Sequence, residues 1–299
     1  MIRKPNTLDY TLLLMLVVIW ASAFLAIKVV VPEIGPLWLA TIRVLIGFTV
    51  LLPWALWRGF IWPSKCRQWR LLTAIAILNV AAPFFLISWA ELTIDAGIAS
   101  LLMGVGPFIA LVASHFFTND DKFTPAKLIA VLLGFTGILV VVGADAILGL
   151  GENLPSQLAA LCGSACYVAS GILIRRLEGF PPVRLSCLVL GIAGVILVAF
   201  ATVIDGVPNL SISGTAWVLL IYLGLVPTGI GYILRYRLIQ AIGVSAFALG
   251  LNLIPVFGIA MGAFFLGEAI SWTVVVALIL VMSGLLVSRM GNQTSTKKD

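Results

Sequence analysis

The sequence holds 299 residues, 62% of them hydrophobic and only 10% charged, against roughly 45–50% and about 25% in soluble globular proteins. With a mean hydropathy of +1.17 it cannot cover a 31.9 kDa water-soluble fold with polar surface, which excludes an ordinary soluble enzyme or binding module. The net charge of +6 and pI near 9.4 would fit a nucleic-acid partner only if the cations shared one soluble surface, and they do not.

A membrane-crossing helix takes about 20 apolar residues, so ten crossings use roughly 200 and leave about 100 for connections. Apolar runs between charged or Pro/Gly-marked breaks predict ten helices, over 10–31, 36–57, 69–90, 95–117, 125–144, 155–175, 183–204, 214–235, 242–266 and 271–289. The runs are continuous, whereas the strands of a membrane β-barrel alternate in short segments. The first run follows Arg3 and Lys4 as a signal peptide would. Its apolar stretch from Leu12 to Val31 is too long for one, and no small-residue cleavage site stands out, so it reads as a retained helix. The polar tail 291–299 is expected to be disordered.

Sorting the 18 Lys and Arg by loop places sixteen at one set of helix ends, among them Arg58, Lys65, Arg67, Lys122, Arg176, Arg184, Arg235 and Arg237. The opposite loops carry none and hold Glu33, Glu91, Asp95, Asp145, Glu152, Asp205 and Glu268 instead. By the positive-inside rule both termini are then cytoplasmic and the number of crossings is even. The positive charge is thus a topology signal on a face near anionic lipid, and no nucleic-acid partner is expected.

The two halves match at an offset near 147. Trp20–Lys28 (WASAFLAIK) aligns with Tyr167–Arg175 (YVASGILIR), Trp89 with Tyr236, and Gly97 with Gly243. Pro107 aligns with Pro255, Phe116-Phe117 with Phe264-Phe265, and Gly137 with Gly284. Five helices per half is an odd number, so the second half must enter the bilayer from the opposite side. The expected fold is an all-α polytopic membrane protein of ten transmembrane helices, arranged as two inverted five-helix repeats (1–146 and 147–290). Secondary transporters use that architecture for alternating access around a site near mid-membrane.

The segment at 20–28, the Arg-Val-Leu at Arg43, the Pro-Phe of 107–108 and the Phe-Phe-Leu-Gly-Glu of 264–268 carry a family resemblance over essentially the whole chain. The protein resembles EamA-type members of the drug/metabolite transporter superfamily, and is similar in particular to bacterial exporters of aromatic and other amino acids. In the first repeat Asn119-Asp120-Asp121 stands where the Gly-Glu signature would be, so that position does not carry over. The resemblance implies secondary transport by alternating access, with a central cavity lined by helices one, three, four, six, eight and nine.

Polar and aromatic residues on those helices are the candidate substrate contacts: Trp20, Ser22, Asn79, Pro83, Ser88, Trp89, Tyr167, Ser170, Tyr232 and Asn252. Asn79 and Asn252 either hydrogen-bond a zwitterionic amino acid or join helices, since an unpaired amide in hydrocarbon is costly. The rings either stack on aromatic or cationic ligands or, for Trp89 above all, belong to an interfacial belt. Pro107, Pro227 and Pro255 are candidate helix breaks for gating, and Gly258 with Gly262 forms a GxxxG face.

Three ionisable residues fall inside apolar spans: Lys28, Arg43 and His115. Lys28 can snorkel. Arg43 either anchors its helix or acts on an anionic substrate group, and His115 either bonds at the interface or relays protons. No carboxylate falls within a helix core, whereas small multidrug exporters depend on one in their first helix. A pump driven through a buried acid is therefore disfavoured. A sugar phosphate is disfavoured too, because phosphate recognition would want more than one intramembrane cation.

One histidine cannot build a multi-His metal site, and no nucleophile or phosphate-loop motif is present. No catalytic residue, metal or cofactor is expected. The sequence thus reads as an inner-membrane exporter of small metabolites, with membrane lipid and a small molecule as partners and a plausible monomer. A drug or nucleotide-precursor exporter, or a non-transporting membrane receptor, are the alternatives.

Overall fold

The computed structural model describes residues 6–57, 59, 62–117, 125–142, 153–174, 176–177 and 180–295. These are helical apart from short turns and connections, with no strand among them. In order they form α1 (Thr7–Ile34), α2 (Pro36–Trp57), α3 (Cys66–Ala76), a π-helical segment (Ile77–Ala81) and α4 (Ala82–Ala90). Next come α5 (Ala96–Met103), α6 (Gly106–Phe117), α7 (Pro125–Val142), α8 (Leu154–Ile174) and α9 (Pro182–Ile204). The chain closes with α10 (Gly214–Leu223), a second π segment (Gly224–Ile230), α11 (Gly231–Leu251), α12 (Ile254–Leu266) and α13 (Trp272–Ser295).

Among the described residues, six helices are long and apolar enough to cross a membrane: Thr7–Ile34, Pro36–Trp57, Cys66–Ala90, Leu154–Ile174, Val183–Ile204 and Gly214–Arg235. The other four expected spans overlap only in part with shorter apolar helices of 10–17 residues, Ala96–Val112, Pro125–Val141, Ile254–Leu266 and Trp272–Val287. The exterior is itself apolar, with Val203 85% and Phe264 82% exposed. Contiguous apolar surface of that kind suits lipid and not water.

Local chemistry sets the ends. Asn6 accepts the Asp9 N–H at 2.9 Å while the Asp9 carboxylate accepts the Asn6 N–H at 2.9 Å, a reciprocal cap that satisfies two orphan donors of α1. Gly35, at φ +79°, turns the chain directly into Pro36, which suits the first position of α2.

The interruptions recur at the sequence offset. The π segments begin at Ile77 and Gly224, 147 residues apart, and two-residue breaks at Gly104–Val105 and Asn252–Leu253 lie 148 apart. Pro107 and Pro255 each take the second position of the helix that follows the break, where a missing N–H costs nothing.

Three expectations change. The predicted fourth helix, 95–117, is two helices. The predicted gap between the eighth and ninth helices, 236–241, is helical, and the chain breaks at Asn252 instead. No Gly or Pro occupies 236–241, and Arg, Leu and Gln there all favour the helix. The tail expected to be disordered is helical through Ser295, because propagating an existing helix is easy once it is nucleated; residues 296–299 lie outside the described residues.

Packing is reciprocal between the halves. α7 runs along α13, α2 along α9, and α5 along α12. α1 lies against α10, α11 and α12, while α8 lies against α3, α4, α5 and α6. The first helix of each half therefore packs on the third and fourth predicted helices of the other. Gly258 and Gly262 let α12 approach α5: a Cβ at Gly258 would meet the Ser100 side chain, and one at Gly262 the Glu268 carboxylate.

Candidate functional site

The reciprocal packing leaves a cavity of about 360 Å³ where α1, α2, α8 and α12 meet both interrupted segments, within the ~300–1,000 Å³ of small-molecule sites. Helix breaks line it directly, through Gly104, Pro107, Pro227, Asn252 and Pro255. Of the sequence candidates, Trp20, Asn79, Tyr167, Ser170, Tyr232 and Asn252 also line it.

Four candidates lie elsewhere. The Ser22 hydroxyl pairs with Tyr222 at 2.6 Å. Pro83 sits where α4 meets α8, its Cα facing Gly163. Ser88 is fully buried and donates to the Phe84 carbonyl at 2.7 Å. Trp89 is exposed on the exterior. The family resemblance names the cavity helices without giving the face each turns inward, and these four occupy other faces.

The polar groups form two clusters. Asn79 Nδ2 donates to Ser170 Oγ at 2.7 Å, and Tyr232 Oη donates to Asn79 Oδ1 at 3.4 Å. Ser170 in turn donates to the Tyr167 carbonyl at 2.7 Å. The second cluster follows from the proline. Pro227 has no N–H to offer the Leu223 carbonyl four residues back, and the Thr228 hydroxyl donates to it at 2.8 Å. The Gly231 N–H bonds Val226 O, five residues back, so the Pro227 carbonyl is left free and accepts the Trp20 indole N–H at 3.1 Å.

Two guanidinium groups face this cavity. Arg43, only 6% exposed, donates from Nε to Thr228 Oγ1 at 3.3 Å and lies 4.0 Å over the centre of the Phe84 ring. Arg235, assigned by sequence to the cationic loop ends, also lines the cavity, with its Cζ 5.9 Å from the Tyr232 ring centre. Its Nε is buried without a hydrogen-bond partner. The signal for it was the three-residue spacing from Tyr232, which puts both on one helix face. No carboxylate appears among the lining residues, so the pocket is cationic, aromatic and amide-rich.

A second correction concerns acids. Glu91, read as a loop residue, is fully buried just beyond α4, and neither carboxylate oxygen has a hydrogen-bond partner. Burial pushes its carboxyl well above the usual carboxylate range, against the opposing pull of Lys28. The Lys28 ammonium donates to the carbonyls of Glu91 at 2.9 Å and Ile94 at 2.8 Å. Glu91 lies outside the helix core, yet it is a buried acid, so the sequence ground for disfavouring a pump driven through one is lost. The side chain of His115 and residues Asn119–Asp121 lie outside the described residues.

A lipid-facing helical bundle around a cavity built from its own helix breaks is the architecture of a multi-pass membrane transporter. The sequence profile of the EamA-like transporter family matches residues 8–143 and again 154–290, and the chain belongs to that family. It is 28% identical over 253 residues to an uncharacterized transporter, YdfC, of Bacillus subtilis, covering 84% of this chain and 80% of that one. It is 25% identical to a probable amino-acid metabolite efflux pump of Escherichia coli, covering 95% of each. A probable terminal-alkyne amino-acid exporter of Streptantibioticus cattleyicolor is likewise 25% identical, over 86% of this chain and 84% of that one. A solved crystal structure, 20% identical, shares the fold with a TM-score of 0.66 over 95% of this chain and 98% of the other.

Proposed function

We propose that the protein is an inner-membrane secondary exporter of small metabolites, foremost amino acids including aromatic ones. In this reading it crosses the membrane ten times as two inverted five-helix repeats, with both termini cytoplasmic, and works by alternating access. The observation that carries the substrate class is the cavity itself. Arg43 and Arg235 offer donors to a carboxylate, Asn79 and Asn252 offer amides, and Trp20, Tyr167 and Tyr232 offer ring faces for an aromatic side chain. Relatives named as amino-acid exporters point the same way.

The test is counterflow of labelled amino acids in proteoliposomes. Phenylalanine or tryptophan exchange above empty-vesicle background is expected, and no exchange with any amino acid would refute the substrate class. The second guanidinium also removes the sequence objection to phosphorylated metabolites, so a sugar phosphate is the second reading. It would be favoured if that substrate exchanged and amino acids did not.

A further inference from the structure

The cavity ends one helical turn from a buried acid that it does not contain. Ile27 and Ile87 line the cavity. The next residue of α1 is Lys28, and the Glu91 N–H bonds the Ile87 carbonyl at 3.0 Å, one turn (about 5.4 Å of rise) further on. Beyond Glu91 this end of the bundle is tied together by polar contacts. Lys28 is bound to the 91–94 turn, and the Glu268 carboxylate takes the N–H groups of Ala96 and Gly97 at 2.7 and 2.9 Å.

Other polar groups at this end also lack partners. The Trp38 indole N–H at the start of α2 and Gln157 Oε1 at the start of α8 are buried and unpaired. The Thr93 hydroxyl bonds that of Ser156 at 2.6 Å, beside Gln157. Among the described residues the charged groups acting on Glu91 are Lys28 from α1, Arg43 from α2 and Glu268 from the turn after α12; Asp95 lies in its own connection, and α8 brings the neutral Ser156 and Gln157 to this end.

An ionised carboxylate without a single hydrogen bond has no place in such a site, because charge removed from water must be paired or neutralised. We propose that Glu91 is a proton-binding residue that couples transport, the empty carrier closing this end only when the Glu91 carboxyl is protonated. Opening the end to outer water admits a proton, which forms the O–H bond on a Glu91 oxygen. Closure buries the neutral acid. When the cavity opens to the cytoplasm, water entering past Ile27 and Ile87 reaches Glu91; the O–H bond breaks, the proton passes to that water, which also solvates the carboxylate, and each return of the empty carrier moves one proton inward.

The inference rests on the exporter reading above, and the experiment separates the two. Labelled phenylalanine is followed in proteoliposomes of wild type and Glu91→Gln, once as counterflow without a pH gradient and once as net movement under a gradient of one pH unit. Wild type should accumulate substrate up to about tenfold, the limit for one-for-one exchange. Glu91→Gln should keep counterflow and lose the accumulation. Accumulation that survives in Glu91→Gln, or wild-type net movement that ignores the gradient while counterflow persists, overturns the coupling and leaves the exporter reading intact.

If no amino acid exchanges, or if Glu91→Gln does not fold, infrared spectra of purified protein carrying isotope-labelled glutamate decide the matter. A protonated glutamate band at neutral pH that is absent from Glu91→Asp supports proton binding at Glu91. No such band in wild type overturns it.

Discussion

Arg43 shows how one side chain is held ready by another element's defect. Pro227 forces a π turn, the turn brings in Thr228, and Thr228 accepts the Arg43 Nε proton at 3.3 Å. Among the described residues this is the only hydrogen bond Arg43 makes, which leaves its terminal nitrogens for a ligand carboxylate. Truncation by Arg43→Ala should therefore raise the half-saturation constant for phenylalanine counterflow about 10- to 100-fold, the worth of ~1.5–3 kcal/mol for a charged hydrogen bond. Arg43→Lys should not restore it, since an ammonium lacks the planar fork. An unchanged constant in both variants would remove Arg43 from substrate binding. The sequence disclosed Arg43 because a charge in an apolar run is conspicuous. Arg235 and Glu91 stand at the edges of apolar runs, where sequence alone does not show whether a charge is exposed or buried.

At the scale of elements, close approach is the organising constraint. α12 presents Gly258 and Gly262 to α5, and the Glu268 carboxylate occupies the space a Gly262 side chain would need. Gly262→Ala should lower stability by roughly 1–3 kcal/mol through overpacking, read as a fall in thermal midpoint in detergent. Gly214→Ala, whose new methyl would meet open space, is the control and should leave the midpoint unchanged or raise it. Equal midpoints for the two variants would mean that the α5–α12 contact is not tight. The GxxxG spacing was readable in advance, but its partner was not, because spacing gives a face and only the fold gives what the face meets. The same holds for the helix breaks. Their prolines marked Pro107 and Pro255, yet a break at Asn252 came with no break across 236–241, where the charges of Arg235 and Arg237 mimicked a loop.

At the scale of the molecule, the halves exchange partners: α1 leans on the second half's interrupted helices and α8 on those of the first. A rigid-body rocking of one half against the other would open the cavity at alternate ends without breaking a helix. Asn79, on the first π segment and facing the cavity, is the place to look for that motion. In a background with Cys66, Cys162, Cys166 and Cys187 replaced, Asn79→Cys should react with a membrane-impermeant thiol reagent added to either side, and substrate should slow both reactions. Reaction from one side alone would refute alternating access through this cavity, and reaction from neither would favour a protein that does not transport. If Glu91 must be neutral before its end can close, rising pH should hold that end open, so labelling from the outer side should speed up relative to the inner side. Glu91→Gln should abolish that dependence, since its amide remains neutral across the range and its closed state no longer waits for a proton.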